Sequence, residues 1–434
     1  MKKKAILAAL AAILAVSMTA CGGVSGDTAK VTVSAKNTEQ TLSETSAVED
    51  VSTIITDPLF EPIGDSNPDF VATYYLDDEE KIATLKDSSV GINTMNTAMI
   101  NSVCAEMPDN NSEMLSGFSA YSCIAAAEKY TENSTKDQIR NALGVMTPDA
   151  LDYFKANMPI DTGTMFLIDD GTTLNAEMTD DFVRDNLQSD GIVDIVNGYV
   201  AEKTHNLIPS VISSSFSEDT RAVVLDTLYF KGTWQHKFDK DFTEKKMFHG
   251  ENGDAETDFM HTSHKFGVNT DNKIIQLPYE STSLVMDICY DIGDKSPADA
   301  FEGYVSKSAE LELDYGYDVN LTMPKFEAES DVSLKKTCES LGMTNMFDPA
   351  FSSDFKSLAD DIYVSDIIQK TKIIVDEEGT EAAAVTMMTM DTACVMPDEP
   401  KTLDIIIDKP FVYAIRDTET NIILFAGYVK GFDV

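Results

Sequence analysis

The chain has 434 residues, and its 33 basic and 74 acidic side chains give a formal net charge of −41. A surface this acidic repels nucleic acid and anionic lipid, which excludes a nucleic-acid-binding role through a basic face. Hydrophobic residues still make up 43% of the chain, enough to build a large core.

The N-terminus has the composition of a secretory signal. Lys2–Lys4 precede an apolar run over residues 5–16, which is too short to span a bilayer permanently. The run leads into Met18-Thr-Ala-Cys-Gly22, which resembles a bacterial lipobox, where the Cys is lipidated and becomes the new N-terminus. We therefore predict a signal over residues 1–21 and an extracellular, cell-surface lipoprotein that is bound to the membrane through Cys21. An ordinary cleaved signal is the alternative.

Residues 22–90 are rich in Ser, Thr, Ala and acidic side chains and have little periodicity. This composition predicts a flexible tether that lifts a folded domain away from the membrane. No break in composition follows, so we predict one domain over residues 91–434.

Apolar residues recur at helical spacing in the first half of this domain. The predicted helices are Ile92–Cys104, Ser122–Leu143 (one helix or two), Asp180–Leu187, Val193–His205 and, later, Asp331–Leu341. The predicted strands are Arg221–Phe230, Lys273–Tyr279, Ser283–Tyr290, Val319–Met323, Leu403–Asp408, Phe411–Arg416 and Ile422–Val429. Helices followed by antiparallel strands indicate the α+β class.

Metal, cofactor and catalytic signals are weak. His261 and His264 have the spacing of two ligands on one helix face, but no acidic or Cys partner stands at a matching spacing. The cysteines other than Cys21 are widely spaced and form no CxxC, which predicts buried thiols, with Cys394 in an exposed loop as the exception. No hydrolase, nucleotide-binding or metalloprotease motif is present, so we expect no metal, no cofactor and no enzyme.

One segment departs from an ordinary loop. After the strand-like Lys372–Val375 and an acidic break, residues 380–394 contain neither Pro nor Gly, and residues 382–390 carry no charge. Surface loops of this length are normally interrupted by Gly, Pro or Asn. At strand spacing, Thr380 begins an uncharged face, while the opposite face carries Glu381 and Asp391. The segment is therefore exposed like a loop but composed like a strand that can be buried.

The order of several motifs now supports a resemblance. The segment Asp376–Ala384, DEEGTEAAA, resembles the hinge of the serpins, the serine protease inhibitor superfamily. Further motifs that resemble serpin segments occur in order at Phe118–Ser122, Asn141–Gly144, Leu228–Trp234, Met323–Phe326, Lys409–Phe411 and Leu424–Gly427. Each motif is weak alone, and the ordered set is specific.

The resemblance implies a fold of three β-sheets and about nine helices, with an exposed reactive loop at about residues 376–400. It also implies a monomer whose partner is a serine protease. The protease cuts the loop and forms an acyl-enzyme, and the loop then inserts into the main sheet and carries the protease with it.

The hinge that this mechanism needs comprises Glu377, Glu378, Gly379, Thr380, Glu381, Ala382, Ala383 and Ala384. The family's usual count of seventeen residues from Glu377 places the cut at Ala393–Cys394, with Thr392–Ala393 as the neighbouring possibility. A small residue before the cut suits elastase-like and then subtilisin-like proteases.

The resemblance also marks a region where the main sheet opens, comprising Ser119, Ser122, Asp226 and Gln369. Asp226 and Gln369 replace the family's usual Asn and His. Because an amide can donate to a carboxylate, we expect Gln369 to donate to Asp226.

Two other functions stay open at this point. A non-inhibitory serpin that acts as a surface binding module has the same fold, and the small-residue hinge argues against it. A solute-binding lipoprotein of a transporter fits the anchor, but the antiparallel strands at the C-terminus argue against it.

Overall fold

The computed structural model describes residues 74–177, 182–380 and 401–433. The predicted signal with the predicted lipidation site Cys21, most of the predicted tether, and the chain that follows Thr380 up to residue 400 lie outside the described residues. The described residues belong to one unit, Asp69–Val434.

The described part of the chain contains seven α-helices and three 3-10 helices. The α-helices are α1 (Glu79–Glu106), α2 (Gly117–Glu128), α3 (Asn133–Leu143), α4 (Pro148–Ala156), α5 (Gly191–Lys203), α6 (Pro297–Ser308) and α7 (Lys335–Ser340). The 3-10 helices are Lys240–Phe242, Asn345–Phe347 and Pro349–Phe355. None of these helices is both long and apolar enough to cross a bilayer.

The strands form three sheets. The first nine are β1 (Ser112–Leu115), β2 (Ile160–Asp169), β3 (Phe182–Asp185), β4 (Ala222–Phe230), β5 (Gly232–Thr233), β6 (Glu244–Gly250), β7 (Gly253–His264), β8 (Gly267–Asn269) and β9 (Ile274–Pro278). The others are β10 (Leu284–Cys289), β11 (Tyr317–Pro324), β12 (Phe326–Ser333), β13 (Asp366–Val375), β14 (Gly379–Thr380), β15 (Lys401–Ile406), β16 (Phe411–Asp417) and β17 (Ile423–Val429).

The largest sheet has seven strands in the order β3-β2-β4-β13-β14-β5, with β12 paired to the other side of β13. A second sheet has six strands in the order β1-β17-β16-β10-β9-β8, and a third has four in the order β15-β11-β7-β6. The α+β class and the three sheets are confirmed, and the number of helices is close to the nine expected.

Strand β4 lies at the centre of the main sheet and is buried along its whole length. Its residues point alternately to two layers, as strand geometry requires. Val223 and Leu225 pack with α5 on one face. Val224 and Leu228 join the main core on the other face, together with Phe118 of α2. The side chain of Asp226 has the parity of this second face.

Helix α1 starts earlier than the predicted domain boundary at residue 90, which lies inside the helix. The Asp78 side chain caps the helix by accepting hydrogen bonds from the backbone N–H groups of Glu80 and Lys81. The Tyr153 hydroxyl also accepts from the backbone N–H of Asp78. A capped N-terminus satisfies N–H groups that are otherwise unpaired, so the helix extends to Glu79.

Two predicted helices were wrong in part or whole. Residues 182–185, within the predicted helix Asp180–Leu187, form strand β3, which pairs in parallel with β2. In the predicted helix Asp331–Leu341, the first residues continue β12, and the helix begins only at Lys335. Pairing with a neighbouring strand overrides a weak local helical pattern in both places.

Candidate functional site

The main sheet is only partly paired at its centre. Strands β4 and β13 run in parallel and pair over four residue pairs, from Val223–Asp366 to Asp226–Gln369. Beyond Asp226 and Gln369 the ladder stops. The segments 227–230 of β4 and 370–374 of β13 then face each other without a shared ladder in the described structure. We call this gap the sheet opening.

The hinge strand β14 occupies the end of the sheet opening that lies away from Asp226 and Gln369. Thr380 pairs with Val375 of β13 on one side and with Gly232 of β5 on the other. Its side chain is 2% exposed, and its hydroxyl lies 2.6 Å from the Tyr279 hydroxyl. The start of the predicted reactive loop is therefore already a strand of the main sheet.

Two glycines make this seat possible. A Cβ atom on Gly379 would lie 2.0 Å from the carbonyl oxygen of Gly232. A Cβ atom on Gly232 would lie 2.4 Å from the ring of Phe230 and 2.6 Å from that of Tyr279. Real Cβ atoms do not approach other atoms this closely. The missing side chain of Gly379 therefore lets β14 approach the backbone of β5, and that of Gly232 leaves room for the rings of Phe230 and Tyr279.

The acidic residues before Gly379 are fixed by basic partners. Glu377, which is 3% exposed, accepts from Lys325 Nζ at 2.9 Å and from Thr243 Oγ1 at 2.7 Å. Burial alone would raise the pKa of Glu377, but these hydrogen bonds outweigh it and lower the pKa. Glu378 pairs with Lys237 at 2.9 Å and Lys240 at 3.0 Å, and the hydrogen bonds lower its pKa as well.

Trp234, the only tryptophan of the chain, contacts the hinge. Its indole N–H donates to the carbonyl oxygen of Asp376 at 2.9 Å, and its ring stacks on Tyr279 with centroids 4.6 Å apart. The backbone N–H of Trp234 donates to the carbonyl of Glu378 at 2.9 Å. In the sequence, Trp234 and Lys325 stand out only as members of two motifs. Their contacts with the hinge depend on the tertiary fold, so the sequence alone does not predict them.

The structure corrects the expected hydrogen bond from Gln369 to Asp226. Asp226 instead accepts from the hydroxyls of Ser119 and Thr164. The Gln369 amide bonds the backbone of Ser116 twice, accepting from its N–H at 2.9 Å and donating to its carbonyl at 2.9 Å. Gln369 thus satisfies a buried backbone turn at the start of α2, and the two side chains act separately.

The fourth residue of this region, Ser122, is buried, and its hydroxyl has no hydrogen-bond partner among the described residues. The hinge residues Glu381–Ala384 and the predicted cleavage site Ala393–Cys394 lie outside the described residues. The structure therefore places Ser119, Asp226 and Gln369 at one end of the sheet opening and the first part of the hinge at the other end.

The two histidines with ligand-like spacing, His261 and His264, have different neighbours in the described structure. His261 Nδ1 lies 3.1 Å from Thr322 Oγ1, whereas the ring of His264 stacks on that of His236. No described group of three His, Cys, Asp or Glu side chains is placed to hold a metal ion. The described cysteines are free thiols, three of them buried and Cys104 half-buried.

Comparisons with known proteins bear on this arrangement. Residues 172–430 match the family model described as "Serpin (serine protease inhibitor)". An uncharacterized serpin-like protein of Methanosarcina mazei is 28% identical over 396 residues, covering 81% of this chain and 92% of that protein. Plasminogen activator inhibitor 1 of Bos taurus is 32% identical over 251 residues, covering 54% of this chain and 60% of that protein. The native structure of the thermophilic serpin tengpin superimposes with a TM-score of 0.67 at 21% identity, covering 83% of this chain and 96% of that one.

The glycine contact at the hinge yields a testable prediction. In Gly379→Ala the added Cβ collides with the Gly232 carbonyl, so we expect β14 to leave the main sheet. Hydrogen–deuterium exchange of the peptide spanning residues 376–380 should then accelerate by about tenfold or more, since local opening exposes these amides. Gly198→Ala in α5 is the matched control, because a Cβ there meets no atom within 4 Å. Equal exchange in Gly379→Ala and the unmodified protein would contradict this account of the hinge.

Proposed function

The chain belongs to the serpin family, and from that premise we propose that it inhibits serine proteases as a suicide substrate. In the proposed reaction the protease cuts the loop that follows Thr380 and forms an acyl-enzyme. The protease is then carried along when the loop inserts into the sheet opening. The observation that carries the proposal is the seat of Gly379 and Thr380 as a strand between β13 and β5.

The sheet opening can receive a strand along both of its edges. Segments 227–230 and 370–374 present backbone N–H and C=O groups that lack a ladder partner across the gap. A strand inserted between them would pair with both edges, and each added hydrogen bond contributes about 1 kcal/mol net. A small cavity already lies in the gap, lined by residues that include Phe230, Ile373 and Thr380.

The sequence that follows Thr380 suits this path. Ala382, Ala383 and Ala384 can pass between strands at little steric cost, and no charge occurs over residues 382–390. Burying an unpaired charge at these positions would cost several kcal/mol and would stall insertion. We propose Ala393–Cys394 as the bond that is cut and an elastase-like or subtilisin-like protease as the target, because Ala393 suits a shallow specificity pocket.

The test of inhibition is a covalent adduct. After incubation of the full-length protein with pancreatic elastase, we expect a band on SDS gels at the mass of the protease plus that of the inhibitor without the fragment that begins at Cys394. The acyl bond survives denaturation, whereas the fragment released by the cut does not stay attached. In Thr380→Arg, a charge stands on the face that must be buried, so we expect cleavage without the adduct. Thr380→Ser is the matched control and should keep it. Cleavage of the unmodified protein without an adduct, by both elastase and subtilisin, would favour the non-inhibitory alternative.

The assignment of the cut makes a separate prediction. Ala393→Arg should lower the rate of adduct formation with elastase and raise that with trypsin, each by about tenfold or more, because trypsin-like pockets require a basic residue. Mass spectrometry of the released fragment should show Cys394 as its first residue. A fragment that begins elsewhere rules out Ala393–Cys394 as the reactive bond.

We further propose that the inhibitor acts outside the cell, attached to the membrane through lipid on Cys21. Cys21→Ser removes the proposed site of lipid attachment, so it should abolish incorporation of labelled palmitate in a bacterial host. It should also move the protein from the detergent phase to the aqueous phase, because firm attachment needs several acyl chains. Cys104→Ser is the matched control and should keep the label. Labelling that persists in Cys21→Ser would exclude this anchor.

A further inference from the structure

The carboxyl group of Asp226 lies where the main sheet has to part. The last residue pair of the β4–β13 ladder joins Asp226 to Gln369, and the sheet opening begins at the next residue of each strand. Asp226 is 4% exposed and lies on the face of β4 that packs toward α2. Any widening of the sheet opening by insertion of a strand must break this pair first.

The surroundings of this carboxyl are polar, and no described Lys, Arg or His forms an ion pair with it. Its oxygens accept from the hydroxyls of Ser119 on α2 and of Thr164 on β2, the latter at 2.6 Å. Gln369, opposite on β13, is uncharged, and its amide is already committed to the backbone of Ser116.

Lys155 and Cys123 are the titratable groups on neighbouring elements that interact with Asp226. Lys155 on α4 lowers its pKa from a distance, without forming an ion pair with it among the described contacts. Cys123 on α2 is buried, and burial first and Asp226 second raise the pKa of its thiol, so it stays neutral. Burial outweighs Lys155 and the two hydroxyls and raises the pKa of Asp226 to about 6.

We propose that Asp226 makes the closure of the main sheet depend on pH, the protonated carboxyl keeping β4 against β13 and the carboxylate favouring their separation. The consequence for inhibition rests on the proposed function, whereas the effect on the intact protein does not.

The direction follows from proton linkage. In the closed sheet the pKa of Asp226 is about 6, and once the strands part and water reaches the carboxyl it returns toward 3.8. The closed state therefore binds the proton more tightly and becomes less favoured as the pH rises from about 4 to about 6. Above this range the whole penalty is present. The difference of about 2 pH units limits the effect on the closed-to-open ratio to about a hundredfold.

The test follows the intact full-length protein in the absence of any protease. Samples are warmed at pH values from 5 to 8 at constant ionic strength, and native gels follow conversion of the monomer to inserted monomer or polymer. We expect conversion at pH 8 to be up to about tenfold faster than at pH 5, with a midpoint near 6. In Asp226→Asn, which cannot ionise, conversion should be slow and independent of pH. A flat profile for the unmodified protein would overturn the proposal.

Asp366→Asn is the matched control, because Asp366 lies on β13 at the other end of the same ladder. Burial raises its pKa as well. We expect the pH profile to survive this change, and its loss here instead of in Asp226→Asn would refute the assignment. Should Asp226→Asn not fold, Ser119→Ala provides the test. It removes a hydrogen bond that favours the carboxylate, so the midpoint should move to higher pH, and an unmoved midpoint counts against Asp226.

The two proposals fail independently. A protein that forms no adduct with proteases but shows the Asp226-dependent profile refutes the proposed function and keeps this inference. A protein that forms adducts and converts at the same rate at every pH refutes this inference alone.

Discussion

The rest of the structure depends on how little backbone pairing joins β4 to β13. Four residue pairs close the ladder at one end, and two hinge residues fill the gap at the other. On either side of this gap the pairing is longer, since β4 pairs with β2 over nine residue pairs and β13 pairs with β12 over eight. The main sheet therefore has extensive backbone pairing on both sides of the boundary between β4 and β13 and little pairing across it. The chain after Thr380 would enter at this boundary.

The hinge is held by contacts of unequal strength. The ion pair between Lys240 and Glu378 is exposed on the lysine side, so water and salt screen it and it stabilises the hinge little. The contacts of Glu377 with Lys325 and Thr243 are more buried, so water competes with them less. The close approach of Gly232 and Gly379 contributes shape and no side-chain interaction. The charged residues thus fix the start of the hinge, and the glycines permit its seat.

Much of the fold could be predicted because the decisive signals are local. Strand β4 is rich in apolar and β-branched residues, and β16 and β17 flank a short polar connection. The alternating sequence of β12 also carried a strand signal, since every second residue from Phe326 to Ser333 is buried. The prediction of a helix from Asp331 overlooks this alternation at the end of β12.

The site could be predicted only in outline. Small uncharged residues marked the hinge, because composition alone limits what can be buried as a strand. The partner of Gln369 could not be predicted, because its amide bonds a backbone turn more than 200 residues away in sequence. For Asp226 the predicted hydrogen-bond partner, Gln369, was wrong. Its hydroxyl donors come from α2 and β2, which meet only in the folded core.

The position of Trp234 has an optical consequence. With one indole in 434 residues, excitation at the red edge of protein absorption interrogates a single place, the ring that rests on Tyr279 with its N–H on Asp376. The emission spectrum of the whole protein is therefore the spectrum of its hinge, and the remainder of the domain is dark at that wavelength.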